Sequence, residues 1–236
     1  MIDKELIEQA KAHAIREFPR EACGFVLSGR EYRECENAAE NPEEDFSIST
    51  EQYSAYSLQI THLIHSHPNG QDWPSERDMR SQMSTAIPWG IIACGPSSTK
   101  EIVWFGDQAP VPDLIGRKFR HGVTDCYALV RDWLRLERNI TVPNFPRADK
   151  WWEKGGDMFV TEMQRAGFFL IDEIEKPGDC IVGKVGFGPG PLNHCGVYVG
   201  ENLVLHHLTG RLSRREPIGP WLRHAQLKMR HRSQNA

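Results

Sequence analysis

Residues 65–78, HSHPNGQDWPSERD, set two histidines one residue apart and follow them with proline, glycine, serine and acid. Just upstream, QITHLIH (59–65) alternates as a strand does. Side chains two apart on a strand point to one face, so His65 and His67 can converge on a single ion. Pro68 and Gly70 then end the strand and turn the chain, so that Ser75 and Asp78 open a helix beside the histidines. Two imidazoles and one carboxylate leave a fourth tetrahedral position for water, the arrangement of a catalytic zinc site rather than a closed structural one. Zinc lowers the pKa of such a water to about 7, low enough for attack on a carbonyl at neutral pH. A neighbouring carboxylate must then shuttle the proton. A plainer arrangement fits the same residues, because Ser75-x-x-Asp78 is also the spacing of a helix capping box.

The combination is sharper than its parts. His-x-His, seven residues, Ser, two residues and Asp resembles the signature of the JAMM (JAB/MPN) metalloproteases. FPREACGFVLSG (18–29) resembles the same family's first helix-to-strand passage, and the likeness covers most of residues 1–106. It implies one zinc ion held by His65, His67 and Asp78, with Glu21 as general base and later acid and Ser75 steadying the oxyanion. Asp72 and Glu76 stand close by, but the motif's spacing selects Asp78. His62, at an odd offset from His65, faces away on a regular strand, and Cys23 reads as a small core residue.

Around this motif, Leu6, Ile7, Ala10, Ala14, Ile15 and Phe18 recur with a helical period over residues 3–18. CGFVLSG (23–29) reads as a buried strand ended by glycine, NAAENPEEDFSIS (37–49) as a polar loop, and WGIIACG (89–95) and EIVWFG (101–106) as further strands. DQAPVPDLIG (107–116) has the composition of a short, semi-rigid linker. It places a boundary near Pro110–Pro112 and predicts domains over residues 1–108 and 112–236.

Composition excludes several function classes. The 236 residues carry a net charge of −4 without the clustered basic excess of a nucleic-acid binder. Arg211 to Arg232 is locally basic and reads as a solvated face near the chain end. No apolar run reaches the roughly 20 residues of a membrane span, so no membrane insertion is expected. MIDKELIEQAKAHAI is amphipathic and charged, unlike a secretory signal. Six cysteines (Cys23, Cys35, Cys94, Cys126, Cys180 and Cys195) without CxxC spacing are expected to be mostly reduced thiols.

A second constellation lies in FRHGVTDCYALVRDW (119–133), which sets Cys126 at the start of an amphipathic helix with Leu129, Val130, Trp133 and Leu134 on one face. Unpaired amides at a helix N-terminus favour a thiolate, the nucleophilic form. A histidine must then carry protons for the leaving group. In NHCGVYVGENLVLHHL (193–208), His194 opens one strand and His206 or His207 closes the next, with Gly200-Glu201-Asn202 as the turn. Folding that hairpin brings one of the later pair beside His194 on the same face. A base oriented by a third polar group is the logic of a catalytic triad.

DC-x-x-L at a helix start, PGD (177–179) before a strand, and H-x-G-V-Y-V-G resemble the NlpC-type papain-like cysteine peptidases over about residues 112–210. The resemblance implies Cys126 as nucleophile, His194 as general base and His206 as its orienting partner, with peptidoglycan peptides as substrate. Tyr127-Ala128 replaces the Ser-Gly that often follows the nucleophile, and Phe119 is the candidate for the family's upstream aromatic. Cys180 reads as core, and Cys195 alternates away from His194. The expected architecture is therefore α+β throughout: a JAMM-type mixed α/β metalloprotease domain followed by an NlpC-type papain-like domain.

The two modules in one chain resemble the tail-tip assembly proteins of lambda-like siphophages. That resemblance implies other tail-tip proteins as partners, synthesis in the host cytoplasm and a place at the tail tip. Two function classes follow. In one, both domains are hydrolases acting in tail assembly or local wall digestion. In the other, the chain is an assembly protein with vestigial catalytic residues. Intact His65, His67 and Asp78 favour the first.

Overall fold

Asp3 caps the first helix, α1 (Lys4–Glu17), its carboxylate accepting the Glu5 N–H at 3.0 Å. The apolar stripe of α1 buries Leu6, Ala10 and Ala14 against Ala22, Val26, Ile64 and Ile92. The computed structural model describes residues 2–106, 108–155, 157–186 and 190–235. It divides into two units, Met1–Pro110 and Val111–Ala236. Both combine helices with a sheet, in keeping with the mixed class expected.

In the first unit, β1 (Cys23–Leu27), β2 (Glu31–Cys35), β3 (Ile60–His67), β4 (Trp89–Ala93) and β5 (Val103–Phe105) form a sheet in the order β2-β1-β3-β4-β5. All its pairs are antiparallel except β3 with β4. Helix α2 (Thr50–Tyr56) precedes β3, and α3 (Glu76–Thr85) follows it. Parallel neighbours need a crossover, and α3 supplies it. The chain therefore leaves β3 at His67 and re-enters a helix within nine residues, which carries Asp78 back toward the histidines. The sequence reading passed over β2 and α2. The outward positions of β2 are Glu31, Arg33 and Glu34, and α2 buries none of its residues, so neither shows a clean apolar period.

In the second unit, α4 (Cys126–Arg138) is capped by Asp125, whose Oδ1 accepts the Ala128 N–H at 2.9 Å. Its inner face sets Leu129, Val130, Trp133 and Leu134 into a core shared with Cys180, Val182, Cys195, Val197 and Leu205. Truncating Leu129 or Leu134 to Ala there would cost about 2–5 kcal/mol. After α5 (Met158–Arg165) come β6 (Phe168–Leu170), β7 (Cys180–Gly183), β8 (His194–Gly200), β9 (Leu203–His206), β10 (Arg214–Pro217), α6 (Ile218–His224) and β11 (Ala225–His231). The sheet runs β10-β9-β8-β7-β11-β6 and every pair is antiparallel. Residues packed with α6 form a smaller cluster of Ile181, Val204 and Ile218, with Trp221 against it. Alternation along β7 and β9 divides their side chains between this cluster and the main core.

The basic stretch from Arg211 to Arg232 is solvated at Arg211, Arg214, Arg215, Arg223 and Arg232, but it is more than a surface. It contains β10, α6 and β11, and β11 pairs on both sides, burying Met229 and His231. Arg230, less exposed, is paired. Arg230 donates from Nε to Asp179 Oδ1 at 2.6 Å and from a terminal nitrogen to Asp179 Oδ2 at 2.8 Å. Asp179 also accepts the Glu175 and Lys176 N–H groups at 2.8 and 3.0 Å, so the PGD turn anchors β11 to β7.

Candidate active sites

Strand register assembles the first site. Cys23 on β1 lies opposite His65 on β3, and carrying that antiparallel register two residues further sets Glu21 opposite His67. His65 and His67 share one face of β3, and their Nε2 atoms stand 3.0 Å apart. Asp78 Oδ1 lies 3.6 Å from His65 Nε2, and Asp78 Oδ2 lies 3.5 Å from His67 Nε2. Glu21 Oε1 is 3.9 Å from His67 Nε2. All four side chains are buried.

The donor set fits zinc. Two nitrogens bound at about 2.0–2.1 Å around a tetrahedral ion must sit roughly 3.3 Å from one another, a few tenths from the spacing here. His67 Nδ1 is 3.0 Å from the Gln71 carbonyl oxygen. Donation there puts the proton on Nδ1 and leaves the Nε2 lone pair facing the centre. Among the described residues, Glu21, His65 and His67 form a cluster able to hold a metal, with Asp78 within reach of both imidazoles. Burial would raise the Asp78 carboxyl, but the His65 imidazole and then His67 outweigh it and hold Asp78 well below the carboxylate range. Burial, and then the Asp78 charge, push Glu21 up to about 8, against a smaller pull from Arg77.

Ser75 does what a capping serine does, and more. It is the N-cap of α3, its Oγ accepting the Asp78 N–H at 3.1 Å. Its own N–H and hydroxyl both donate to Asp78 Oδ2 at 2.8 Å, which leaves Oδ1 toward His65. The polar loop over 37–49 covers this centre. Phe46 stacks on His65 with ring centroids 4.6 Å apart. Asn37 ties the loop to the Glu21 turn, donating to the carbonyls of Glu21 at 2.9 Å and Asp45 at 3.0 Å. A groove of about 220 Å³ lined by Phe46, Tyr53, Arg77, Asp78 and Trp89 runs alongside. His62 points away from the pair and meets Trp104 edge-on, and Cys23 is buried core.

The second site gathers at the start of α4. Cys126 and His194 line a cavity of about 410 Å³ together with Phe119, Trp151, Trp152 and His207. A hydrogen bond from the Cys195 thiol is the strongest influence on Cys126. Together with the hydrogen bond and charge of His194 it holds the Cys126 thiol well below its ordinary range, against burial and Asp125. Cys195 alternates away from His194 into the core, and this places it against Cys126; burial and that neighbour push its own thiol well up.

His206 lies beside His194 on the face of the sheet shared with α6, ring centroids 5.6 Å apart. Register explains this: Gly196 pairs with His206, so His194, two residues earlier, is its diagonal neighbour. A Cβ at Gly196 would come within 2.9 Å of Val204 and 3.2 Å of the His206 Cβ, so the glycine makes room for the pair. The intervening turn has Glu201 and Asn202 both at positive φ, as a two-residue hairpin turn requires. His207 turns instead toward the cavity, where Phe119 meets it edge-on at 5.1 Å.

The sequence reading passed over three partners of this site. Arg147, fully buried, donates to Asp125 Oδ2 from Nε at 3.2 Å and from a terminal nitrogen at 2.5 Å. Trp221 lies against both histidines, 4.2 Å from the His206 ring and 5.3 Å from that of His194. Its indole N–H donates to Glu216 at 2.9 Å. Arg147 and Trp221 carry no local signal. Glu216 carries none either, standing one strand beyond His206 in the charged run Arg214-Arg215-Glu216.

Comparison with known proteins agrees with this division. Residues 3–105 match the family of prokaryotic homologues of the JAB domain, and residues 116–231 match the NlpC/P60 family. The tail tip assembly protein K of Escherichia phage lambda is 36% identical over 180 residues, 75% of this chain and 85% of that protein. Its counterpart in Escherichia phage N15 is 31% identical over 233 residues, 96% of this chain and 93% of that protein. The chain belongs to the tail tip assembly protein K family. Among solved structures, an NlpC/P60 family protein from Bacillus cereus ATCC 10987 is similar at a TM-score of 0.36 and 11% identity, over 98% of this chain and 67% of that one. Within the family assignment, the first centre lies in the JAB-like part and the second in the NlpC/P60 part. No helix among the described residues is long and apolar enough to cross a membrane.

Proposed function

We propose that this chain is a tail-tip assembly factor carrying two hydrolase sites: a zinc peptidase in the first unit and a cysteine peptidase cutting peptidoglycan peptides in the second. The observation that carries the reading is the meeting of Cys126 and His194 on one cavity, with the Cys126 thiol held low. The relatives' name, tail tip assembly protein K, supports the assembly context; other tail-tip proteins as partners, synthesis in the host cytoplasm and a place at the tail tip are part of the same proposal.

In the second unit, the Cys126 thiolate attacks the carbonyl carbon of a peptide bond. His194 gives its proton to the leaving amine, then takes one from the water that hydrolyses the thioester. His206 holds the His194 ring in place. In the first unit, His65, His67 and Asp78 would hold one zinc ion. When bound, zinc supplies Lewis acidity and lowers the pKa of water to about 7. Glu21 Oε1, 3.9 Å from His67 Nε2 at the edge of the centre, takes a proton from the attacking water and returns it to the leaving amine. Ser75 orients Asp78 through its hydroxyl; in the role that the resemblance gives it, that O–H turns from Asp78 to steady the oxyanion during the reaction.

Incubation with purified wall sacculi tests the assignment. Wild type should release peptides, Cys126→Ala should abolish release, and Glu21→Gln should leave it intact. Release that survives Cys126→Ala but is lost in Glu21→Gln would exchange the two substrates. No release by wild type would leave an assembly protein whose thiol site does not cut the wall.

A further inference from the structure

The histidine pair of the second site does not end at His206. Strands β8, β9 and β10 are consecutive neighbours in the sheet, and each contributes polar side chains to the face beneath α6. His194 comes from β8, His206 from β9 and Glu216 from β10. Arg214 pairs with His206 across β9 and β10, which makes Glu216 the diagonal neighbour of His206. His206 Nε2 lies 3.1 Å from Glu216 Oε2, an ion-pair contact whose N–H is not aligned for a hydrogen bond.

The carboxylate is itself held in place. Trp221 donates its indole N–H to Glu216 Oε2 at 2.9 Å, while Arg214 pairs with Glu216 Oε1. The ring of Trp221 covers both imidazoles, so one side chain fixes the carboxylate and excludes water from the pair it faces. The buried Nε2 of His194 and both ring nitrogens of His206 have no hydrogen-bond partner among the described residues. A buried imidazole nitrogen left so is open to a proton held or passed between the two rings.

We propose that Glu216 is a fourth, positioning member of the cysteine site, acting through His206 on His194. The inference rests on the proposed reading of Cys126 and His194 as nucleophile and base. With the proton on His206 Nε2 facing Glu216 at 3.1 Å, the carboxylate charge favours that tautomer and leaves Nδ1 as acceptor. Its negative charge favours the imidazolium of His194 and hence the thiolate of Cys126. The charged and titratable groups facing His206 are Glu216 and Arg214 from β10 and His194 from β8; α6 contributes the uncharged Trp221. The Arg214 charge offsets part of that of Glu216, so the effect at Cys126 is moderate. No sequence motif marks Glu216, because its place is defined by a strand pairing and a tryptophan five residues on.

The test is the rate of Cys126 alkylation by iodoacetamide as a function of pH, read by mass mapping on the full chain. In Glu216→Gln the midpoint of the rate's rise should move up by about one pH unit, with the rate at pH 6 falling about tenfold and the melting temperature unchanged. Glu216→Asp should restore part of the wild-type profile. A wild-type profile in Glu216→Gln would overturn the proposal. Should Glu216→Gln fail to fold, Trp221→Phe removes the indole N–H that holds the carboxylate and should move the midpoint the same way; an unmoved midpoint there counts against Glu216. His194→Ala separates the two readings. If it flattens the profile while Glu216→Gln leaves it unchanged, Glu216 alone is wrong. If Cys126 in the wild type is no more reactive than the other thiols, both readings fall.

Discussion

Arg147 and Asp125 form a buried ion pair directly behind the Cys126 helix start: the guanidinium reaches the carboxylate at 2.5 Å, and both side chains are almost wholly inaccessible. Asp125 also caps α4 through Ala128 and accepts the Gly122 N–H at 2.7 Å. Arg147 spends its remaining donors on Asn144 Oδ1 and the Phe145 carbonyl. Removing one partner strands a charge in the interior, so Arg147→Met should destabilise the second unit by about 3–5 kcal/mol in urea unfolding. A loss under 1 kcal/mol would mean that the pair is more hydrated than the structure shows.

The same pair sets a pH dependence. Burial would raise Asp125, but Arg147 outweighs it and holds the carboxyl well below its ordinary range. A depressed carboxyl contributes stability that is fully present above its unfolded value, about 3.9, and is lost as pH falls through that value toward the folded one. In Arg147→Met, burial acts without its counterweight and raises the carboxyl, so this contribution reverses sign. Urea midpoints at several pH values from 3 to 6 should therefore fall with acid in the wild type and fall less, or rise, in Arg147→Met.

For the first unit, purified protein should carry about one zinc per chain by elemental analysis. His65→Ala and Asp78→Asn should lose most of it, and Cys126→Ala should keep it. Zinc that stays with His65→Ala, or leaves with Cys126→Ala, would put the ion elsewhere.

Ser75→Ala separates capping from orientation. Loss of the cap alone should cost α3 about 1 kcal/mol. Loss of the hydroxyl contact to Asp78 Oδ2, with the Ser75 N–H contact kept, should also weaken zinc binding by about 10-fold, measured by competition with a chromophoric chelator. A lower melting temperature with unchanged zinc affinity would make Ser75 a cap only.

Thiol selectivity gives a further check. Burial pushes up Cys23, Cys35, Cys94 and Cys180, and Cys195 is pushed up by burial and by Cys126; Cys126 alone is held low. Iodoacetamide at pH 6 should modify Cys126 before the other five. Uniform labelling would remove the argument for a reactive thiolate.

The two centres differ in how much of them could be read from the chain. His65, His67 and Asp78 sit within 14 residues, and a strand period followed by a capping box nearly fixes their geometry. The hairpin with its definite turn made legible that one of His206 and His207 meets His194, but only the family resemblance favoured His206; the observed register, Gly196 opposite His206, sets it beside His194. Arg147 follows Cys126 by 21 positions across an irregular segment, and no local period links them. Glu216 and Trp221 lie in a basic stretch whose charges suggested solvent, although alternation hides a strand whose inward residues are Met229 and His231. Charge density alone misreads a strand that pairs its charges.

The position of β11 orders the assembly of its own module. This strand is made after every strand it touches, yet it is the seam that joins β6 to β7. Until residues 225–231 are in place, β6 has no strand partner and the β10-β9-β8-β7 sheet keeps an open edge at β7. The strands that carry His194 and His206 already pair with each other, so a chain without β11 bares that edge while its two imidazoles stay neighbours.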